Sequence, residues 1–232
     1  MKIVADENIR YVSEAFSAMG EVVLRPGRAI IADDVRDAEV LLVRSVTQVN
    51  QDLLGGSAIR FVATATIGED HIDRAYLARN NVGFSSAPGC NANSVGEYLV
   101  ASLLHLAEKY DFDLRDKSMG IVGVGNVGSN VARKAAALGM TVVLNDPPLA
   151  EATSDAKYRP LEEILACDII TTHVPITKDG PHPTWHLVDE SFLGTMKPGS
   201  ILINSARGPV VDNMALLAAL KSNHLLGAVL DV

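Results

Sequence analysis

The stretch "SMGIVGVGNVGSNVARKAAALGMTVVLNDPP", residues 118–148, decides the fold. A short apolar run predicts a strand, a glycine-rich turn follows, and residues 131–138 have helical spacing before a second predicted strand at 141–144. Such a turn lets a pyrophosphate approach the backbone, and an acid about 20 residues further on can accept a ribose hydroxyl. The pattern predicts a dinucleotide-binding βαβ unit, although similar turns occur in α/β proteins that bind no nucleotide. The residues that define it are Gly123, Gly125, Gly128 and Asp146.

The acid also indicates which dinucleotide binds. A carboxylate at Asp146 would accept hydrogen bonds from the adenosine ribose and repel a 2′-phosphate. The next two residues, Pro147 and Pro148, supply no cation that would attract such a phosphate. NAD is therefore expected in preference to NADP.

Composition limits the class of protein. The 232 residues are 48% hydrophobic, enough for one large or two modest cores, and carry a net charge of −8, which argues against a nucleic-acid-binding surface. We find no apolar run of about 20 residues, and the N-terminus has the pattern of a strand, so we expect a cytoplasmic protein without membrane contact. Cys90 and Cys167 are too few and too far apart for a disulfide framework or a zinc site. We expect both to be free thiols and no metal to bind, with Cys90 as a nucleophile a minor alternative.

Short apolar runs alternate with amphipathic stretches along the whole chain. This alternation predicts parallel, doubly wound sheets. A long helix, capped by Asn91 or Asn93 and apolar at Val95, Leu99, Leu103 and Leu106, leads into the glycine turn, and we interpret it as a bridge between two domains. The predicted strands are 2–5, 21–24, 40–43, 60–64, 82–85, 121–122, 141–144, 169–174, 201–206 and 226–232. The predicted helices are 12–19, 51–54, 72–78, 131–138, 161–165, 191–196 and 213–221.

Polar residues follow several predicted strands, where ligands gather in open α/β sheets. Hydroxyls, amides and guanidiniums at these ends could hold a small carboxylate or phosphate, although each alone could equally belong to an ordinary polar loop. Arg207 is the strongest candidate, because packing does not explain an arginine between a buried strand and Gly208-Pro209, and its two-pronged group suits a 2-hydroxy-acid carboxylate. The other candidates are Arg44, Ser45, Thr47, Thr66, Ile67, Gly68 and Asp231.

Together these motifs resemble the D-isomer-specific 2-hydroxyacid dehydrogenases. The similar stretches are "GIVGVGNVG" (120–128), "HVPIT" (173–177) and "LINSARGPVVDNMALLAAL" (202–220). Three more, "MKIVADENI" (1–9), "FSSAPGCNANSVGEY" (84–98) and "KDGPHPTWHL" (178–187), are similar to one branch of that family. The resemblance implies a flavodoxin-like substrate domain at 1–92, a Rossmann NAD-binding domain at 93–232 that includes the bridging helix, and a homodimer.

The branch implies a reaction and roles for individual residues. The reaction is NAD-dependent oxidation of a small phosphorylated 2-hydroxy acid, 4-phospho-D-erythronate, during pyridoxal 5′-phosphate biosynthesis. Arg207 would be catalytic, orienting the carboxylate and hydroxyl, and Ser45 and Thr66 would contact the substrate. The cofactor would be bound by Gly123, Gly125, Asn126, Val127, Gly128, Asp146, Val174, Ala206 and Asp231.

The family's catalytic His and its supporting Glu are expected beyond Val232, so we expect a sequence that stops before its base and is inactive alone. Of the six histidines, His173 is the first alternative as the base but is more in keeping with a structural residue, and His71 is expected to face solvent near a helix start. A sister enzyme for another 2-hydroxy acid, such as 3-phosphoglycerate, and a non-catalytic NAD-binding module remain open.

Overall fold

The computed structural model describes all 232 residues, and the chain divides into two compact units. The first unit spans Met1–Cys90 and the second spans Asn91–Val232. Each unit has its own five-stranded sheet, in which every pair of neighbouring strands is parallel. The predicted fold class, α/β with two doubly wound parallel sheets, is confirmed. None of the helices combines the length and the apolar character needed to cross a bilayer.

The first unit has the strand order β2-β1-β3-β4-β5. Residues of β1 alternate between two cores: Val4 packs on one face of the sheet, and Ile3 and Ala5 pack on the other. Because helices cover both faces, the central strands are mainly apolar. The strands are β1 (Lys2–Asp6), β2 (Glu21–Arg25), β3 (Val40–Val43), β4 (Phe61–Thr64) and β5 (Gly83–Ser85), and the helices are α1 (Val12–Phe16), α2 (Ala32–Val35), α3 (Gln51–Leu54) and α4 (Arg74–Arg79).

The second unit has the order β10-β9-β8-β6-β7. Its sheet also separates two cores, since Ile169 packs with α5 and α6 while Ile170 packs with α8 and α9. The strands are β6 (Ser118–Val122), β7 (Thr141–Asn145), β8 (Ile169–Thr172), β9 (Ile201–Asn204) and β10 (Gly227–Leu230). The helices are α5 (Ala92–Tyr110), α6 (Asn126–Ala137), α7 (Pro147–Thr153), α8 (Leu161–Leu165), α9 (Glu190–Thr195) and α10 (Asn213–Lys221).

Three strands of the second unit are shorter than their apolar runs. β8, β9 and β10 end at Thr172, Asn204 and Leu230, each two residues before the predicted limit. The apolar residues that follow differ in burial: Ala206 is 6% exposed, Val174 is partly buried and Val232 is 55% exposed. The chain therefore leaves the sheet at the edge where the candidate residues lie.

The starts of α4, α6 and α9 differ from the sequence predictions, and α2 and α7 were not predicted. α6 begins at Asn126 rather than 131, and α7 begins with Pro147-Pro148. Proline is favourable in a first helical turn, since its missing N–H has no partner there anyway. At α5, Asn91 lies at the cap position but its side chain makes no capping bond, and Asn93 instead donates to Glu97 at 2.7 Å. Asn91 is therefore the cap residue, as predicted, but it does not make the side-chain bond that usually accompanies that position.

Candidate active site

The three glycines of the turn after β6 are required for three different reasons. Gly123 has φ of +88°, and a Cβ there would lie 2.7 Å from the carbonyl oxygen of His173. A Cβ at Gly128 would overlap the carbonyl oxygen of Gly123, so only glycine lets α6 pack this closely on the turn. At Gly125, by contrast, a Cβ would meet no atom within 4 Å. The chain has room for a ligand above Gly125, and this is the position where a pyrophosphate would pass.

The same turn exposes the start of α6. Gly125 occupies the cap position and has no side chain to cap the helix, so the first-turn amides of Asn126, Val127 and Gly128 have no side-chain acceptor. Unpaired N–H groups and the helix dipole together favour an anion. The geometry thus fits the pyrophosphate of a dinucleotide.

Asp146 holds a fixed position at the carboxyl end of β7. Its Oδ2 accepts a hydrogen bond from the backbone N–H of Val124 at 2.8 Å, and its Oδ1 accepts one from Leu149 N at 3.0 Å. The carboxylate therefore links the glycine turn to the start of α7. A carboxylate has about four acceptor positions, so two remain for ribose hydroxyls.

The other three cofactor candidates follow β8, β9 and β10. Val174 is partly buried, and its Cγ1 lies 2.9 Å from the point where a Cβ at Gly123 would be. Ala206 is buried, whereas Asp231 is exposed and its N–H donates to the carbonyl oxygen of Asn204 at 3.0 Å. Because the strands are parallel, all these residues lie at one edge of the sheet.

Arg207 lies in a turn organised by Asn204, which the sequence analysis did not identify. Asn204 is 1% exposed; its Oδ1 accepts from the Thr172 hydroxyl at 2.9 Å and from Ala206 N at 3.0 Å, and its Nδ2 donates to the Arg207 carbonyl oxygen at 2.9 Å. The Arg207 guanidinium donates to the Ala206 carbonyl oxygen at 2.7 Å. A polar residue at the end of the buried run "ILIN" was the available signal.

His173 follows β8 and is bonded at both ring nitrogens. Its Nε2 lies 3.1 Å from the Thr171 hydroxyl and its Nδ1 lies 3.3 Å from the Ser205 hydroxyl. Burial lowers the pKa of His173 from 6.5 to about 4. A ring with this pKa is neutral at pH 7 and is a weak base, which supports a structural role.

In the first unit, a buried ion pair lies at the corresponding sheet edge. Asp6 is fully buried, and its Oδ2 accepts from Arg44 Nε at 2.9 Å. Its Oδ1 accepts from the backbone N–H of Asn8 at 2.9 Å. A Cβ at Gly27 would overlap Oδ2 of Asp6, so glycine is required beside the pair. Arg44, which is about one third exposed, thus presents its guanidinium at this edge with one nitrogen fixed.

The three hydroxyl residues predicted as ligand contacts in the first unit differ in their burial and hydrogen bonding. Ser45 is exposed next to Arg44, but the Thr47 hydroxyl is buried and donates to the carbonyl oxygen of Gly27 at 2.8 Å. Thr66 is partly buried and donates to the carbonyl oxygen of Gly68 at 3.1 Å. Thr47 therefore supports the fold, while Ser45 and Thr66 lie on loops after β3 and β4.

We had expected His71 to face solvent, but the residue is buried, with only 5% of its surface exposed. Its Nε2 lies 3.1 Å from the Thr64 hydroxyl, which in turn lies 2.7 Å from the Thr66 hydroxyl. Because Thr66 donates its proton to Gly68, Thr64 donates to Thr66 and His71 donates to Thr64. The error arose because "GEDHID" is polar in sequence, while the chain turns inward at His71.

The two cysteines are free thiols, and burial raises the pKa of Cys167. Cys90 is exposed.

Comparison with known proteins identifies the family. Residues 102–232 match the D-isomer specific 2-hydroxyacid dehydrogenase, NAD binding domain. The chain belongs to this family. The matched segment contains the glycine turn, Asp146 and Arg207, and the cofactor of this 2-hydroxyacid dehydrogenase domain is NAD. Ser45 and Thr66 lie outside the matched segment.

The similarity to curated relatives extends over the whole chain. Erythronate-4-phosphate dehydrogenase of Citrobacter koseri is 52% identical over 233 residues, covering 100% of this chain and 62% of its own length. The chain thus spans under two thirds of the relative's length. D-lactate dehydrogenase from Aquifex aeolicus, complexed with NAD and lactic acid, superposes with a TM-score of 0.83 at 27% identity, covering 100% of this chain and 77% of that one. NAD-bound 3-phosphoglycerate dehydrogenase of Entamoeba histolytica superposes with a TM-score of 0.84 at 25% identity, covering 100% of this chain and 80% of that one.

Proposed function

We propose that the protein oxidises the C2 hydroxyl of 4-phospho-D-erythronate with NAD, giving the corresponding 2-oxo acid. The observation that carries this proposal is the 52% identity, over the whole chain, to a relative named erythronate-4-phosphate dehydrogenase. The buried network that holds the Arg207 turn supports it, because a family member needs a fixed arginine for the substrate carboxylate.

The chain's own residues would bind and orient the reactants. The amides at the start of α6 hold the pyrophosphate, and Asp146 accepts from the adenosine ribose. The chemistry that bound NAD supplies is acceptance of the hydride that leaves C2. Arg207 binds the carboxylate and polarises the hydroxyl, while Ser45 and Thr66 contact the remainder of the substrate. Val174, Ala206 and Asp231 border the cofactor.

The hydroxyl proton must be taken by a base as hydride leaves, and the ideal base has a pKa near the working pH. His173, with a pKa of about 4, does not meet this requirement. We therefore propose that His173 is not the base. We also propose that the protein works in the cytoplasm in the synthesis of pyridoxal 5′-phosphate, forms a homodimer and binds neither membrane nor nucleic acid.

The test is a substrate comparison on the complete polypeptide that contains these residues. NADH formation is measured with 4-phospho-D-erythronate, 3-phospho-D-glycerate and D-lactate. We expect kcat/KM to be highest for 4-phospho-D-erythronate by about tenfold or more, since a site that pairs each substrate hydroxyl discriminates against analogues without it. A preference for 3-phospho-D-glycerate would assign the protein to a sister activity. Tight NADH binding without turnover of any of the three would favour a non-catalytic NAD-binding protein.

A further inference from the structure

The buried side chain of Asn204 connects the ends of neighbouring strands to the turn that carries Arg207. Thr172 and Asn204 are the last residues of β8 and β9 and lie directly opposite each other in the sheet. The Thr172 hydroxyl donates to Asn204 Oδ1 at 2.9 Å. One end of the amide is thus fixed to the sheet.

The other contacts of the amide bracket the turn. Ala206 N donates to Oδ1 at 3.0 Å, and Nδ2 donates to the Arg207 carbonyl oxygen at 2.9 Å. Three of the four hydrogen-bonding positions of the side chain are used. The amide therefore holds the peptide that joins Ser205 to Ala206 and the peptide that joins Arg207 to Gly208.

The chemistry of these contacts requires an amide in one orientation. A carboxylate would place an oxygen against the Arg207 carbonyl oxygen, and a serine could not reach both sides of the turn. A flipped amide would place NH₂ against the N–H of Ala206. Few residue types other than asparagine can accept from the N–H of one peptide and donate to the carbonyl of another, two peptides further on, in so small a space.

We infer that Asn204 is a positioning residue that acts through Arg207, holding the arginine backbone so that the guanidinium meets the substrate carboxylate. This inference rests on the proposed function of Arg207. Asn204 is buried and acts on the reaction only through the turn, so it is not itself a catalytic residue.

The test compares Asn204→Ser with Ser118→Ala in the complete polypeptide. Ser118 is a suitable control, because its hydroxyl is likewise hydrogen-bonded inside the second unit, with two bonds to Asp168 at 2.7 and 3.0 Å. It lies at the start of β6, at the opposite edge of the same sheet. Both variants should lose thermal stability, which separates general damage from a specific effect.

We expect Asn204→Ser to lower kcat by roughly 10- to 100-fold, since a displaced catalytic group has an effect of that order. Ser118→Ala should change kcat less than about twofold. In the Arg207→Lys background, Asn204→Ser should lower kcat by less than about threefold more, because residues that act as a unit are not additive. Equal losses in both backgrounds, or an unchanged kcat for Asn204→Ser, would overturn the inference.

A second measurement separates this inference from the proposed function. Amide hydrogen exchange at Ala206 should accelerate in Asn204→Ser and not in Ser118→Ala, whether or not the protein turns over a 2-hydroxy acid. If the unsubstituted polypeptide is inactive, the proposed function fails, and the exchange rate alone then decides whether Asn204 holds the turn. Unchanged exchange at Ala206 would overturn the positioning role.

Discussion

The two units have the same topology but present different chemistry at the same place. In each, the first strand lies between the second and the third, with the fourth and fifth following in order. Both therefore have a switch point at the carboxyl ends of their first and third strands, where open α/β sheets bind ligands. Topology provides the location in both units, and the residues of the loops determine what binds there.

The connection after the first strand differs most. In the first unit it follows the buried Asp6, the last residue of β1, which is paired with Arg44, and it ends at Tyr11, which has φ of 60°, before a five-residue helix. In the second unit it is a glycine turn that leads directly into the twelve-residue α6. An exposed guanidinium suits a compact anion, whereas free amides at the start of a long helix suit an extended pyrophosphate.

The ends of the second strands differ in charge. β2 ends at Arg25, whose Nε donates to Asp34 at 2.7 Å, whereas β7 is followed by Asp146. In the first unit the residue that follows β2 is Pro26, so the carboxylate that follows β7 has no counterpart there. The two loops therefore offer different groups to a ligand.

The largest effect is expected from Gly128→Ala. The new Cβ would overlap the carbonyl oxygen of Gly123, and two backbone segments cannot separate without moving α6 away from β6. We expect the free energy of unfolding to fall by about 3 kcal/mol and NADH binding to be lost, measured by urea unfolding and nicotinamide fluorescence. Gly27→Ala in the first unit meets a side chain, that of Asp6, and should leave NADH binding intact.

Gly125→Ala is the matched control for this prediction. Its Cβ has open space on all sides, so unfolding should change by less than about 1 kcal/mol, while NADH affinity falls because the methyl group occupies the pyrophosphate position. Equal stability of the Gly128 and Gly125 variants would show that the close approach of α6 is unimportant.

The second largest effect is expected from replacing the two arginines, one in each unit, by lysine. Arg207→Lys keeps the charge but loses the two-pronged geometry, so kcat should fall by about 10²-fold, as for loss of a positioned transition-state contact. Arg44→Lys should mainly raise KM, by about tenfold, because one ammonium cannot serve both Asp6 and a substrate anion as well as a guanidinium does. Steady-state kinetics on the complete polypeptide measures both. A near-normal kcat for Arg207→Lys would make Arg207 a structural residue.

The third prediction concerns acid stability of the second unit. The pKa of His173 is lowered from 6.5 to about 4, so the unfolded state binds more protons between these values and stability falls as the pH drops through this window. Between pH 7 and 4.5, we expect the free energy of unfolding to fall by about 1–2 kcal/mol less in His173→Gln than in the unsubstituted chain, measured by urea unfolding.

Asp168 provides an internal check on the pH window. Although burial acts to raise its pKa, hydrogen bonds from Lys197 and Ser118 hold it at about 2. Its stabilising contribution is therefore lost only below its usual value of 3.8, outside the window of His173. Identical pH profiles for the chain and for His173→Gln would contradict the low pKa of His173.

The parts of the structure that sequence could predict depend on local patterns. The glycine turn, the apolar strands and the alternation of strands with helices each lie within a few tens of residues, and they predicted both sheets. The parts that it missed depend on distant partners: Asp6 meets Arg44 across 38 residues, and Thr172 meets Asn204 across 32. A buried polar residue at the end of an apolar strand was the only local sign of these contacts.

The smallest effect is expected from Asp146→Ser, which tests separately the two roles of Asp146, as ribose acceptor and as cap of α7. As ribose acceptor, its carboxylate should make NADPH bind at least about tenfold more weakly than NADH, since a 2′-phosphate would meet a negative charge. Asp146→Ser retains a residue that can cap α7 through Leu149 N but removes the charge. We expect this variant to bind NADH and NADPH within about threefold of each other, measured by calorimetry. If the unsubstituted chain already binds both with equal affinity, Asp146 serves only to fix the glycine turn and α7, and the contrast with the first unit has no bearing on the choice of ligand.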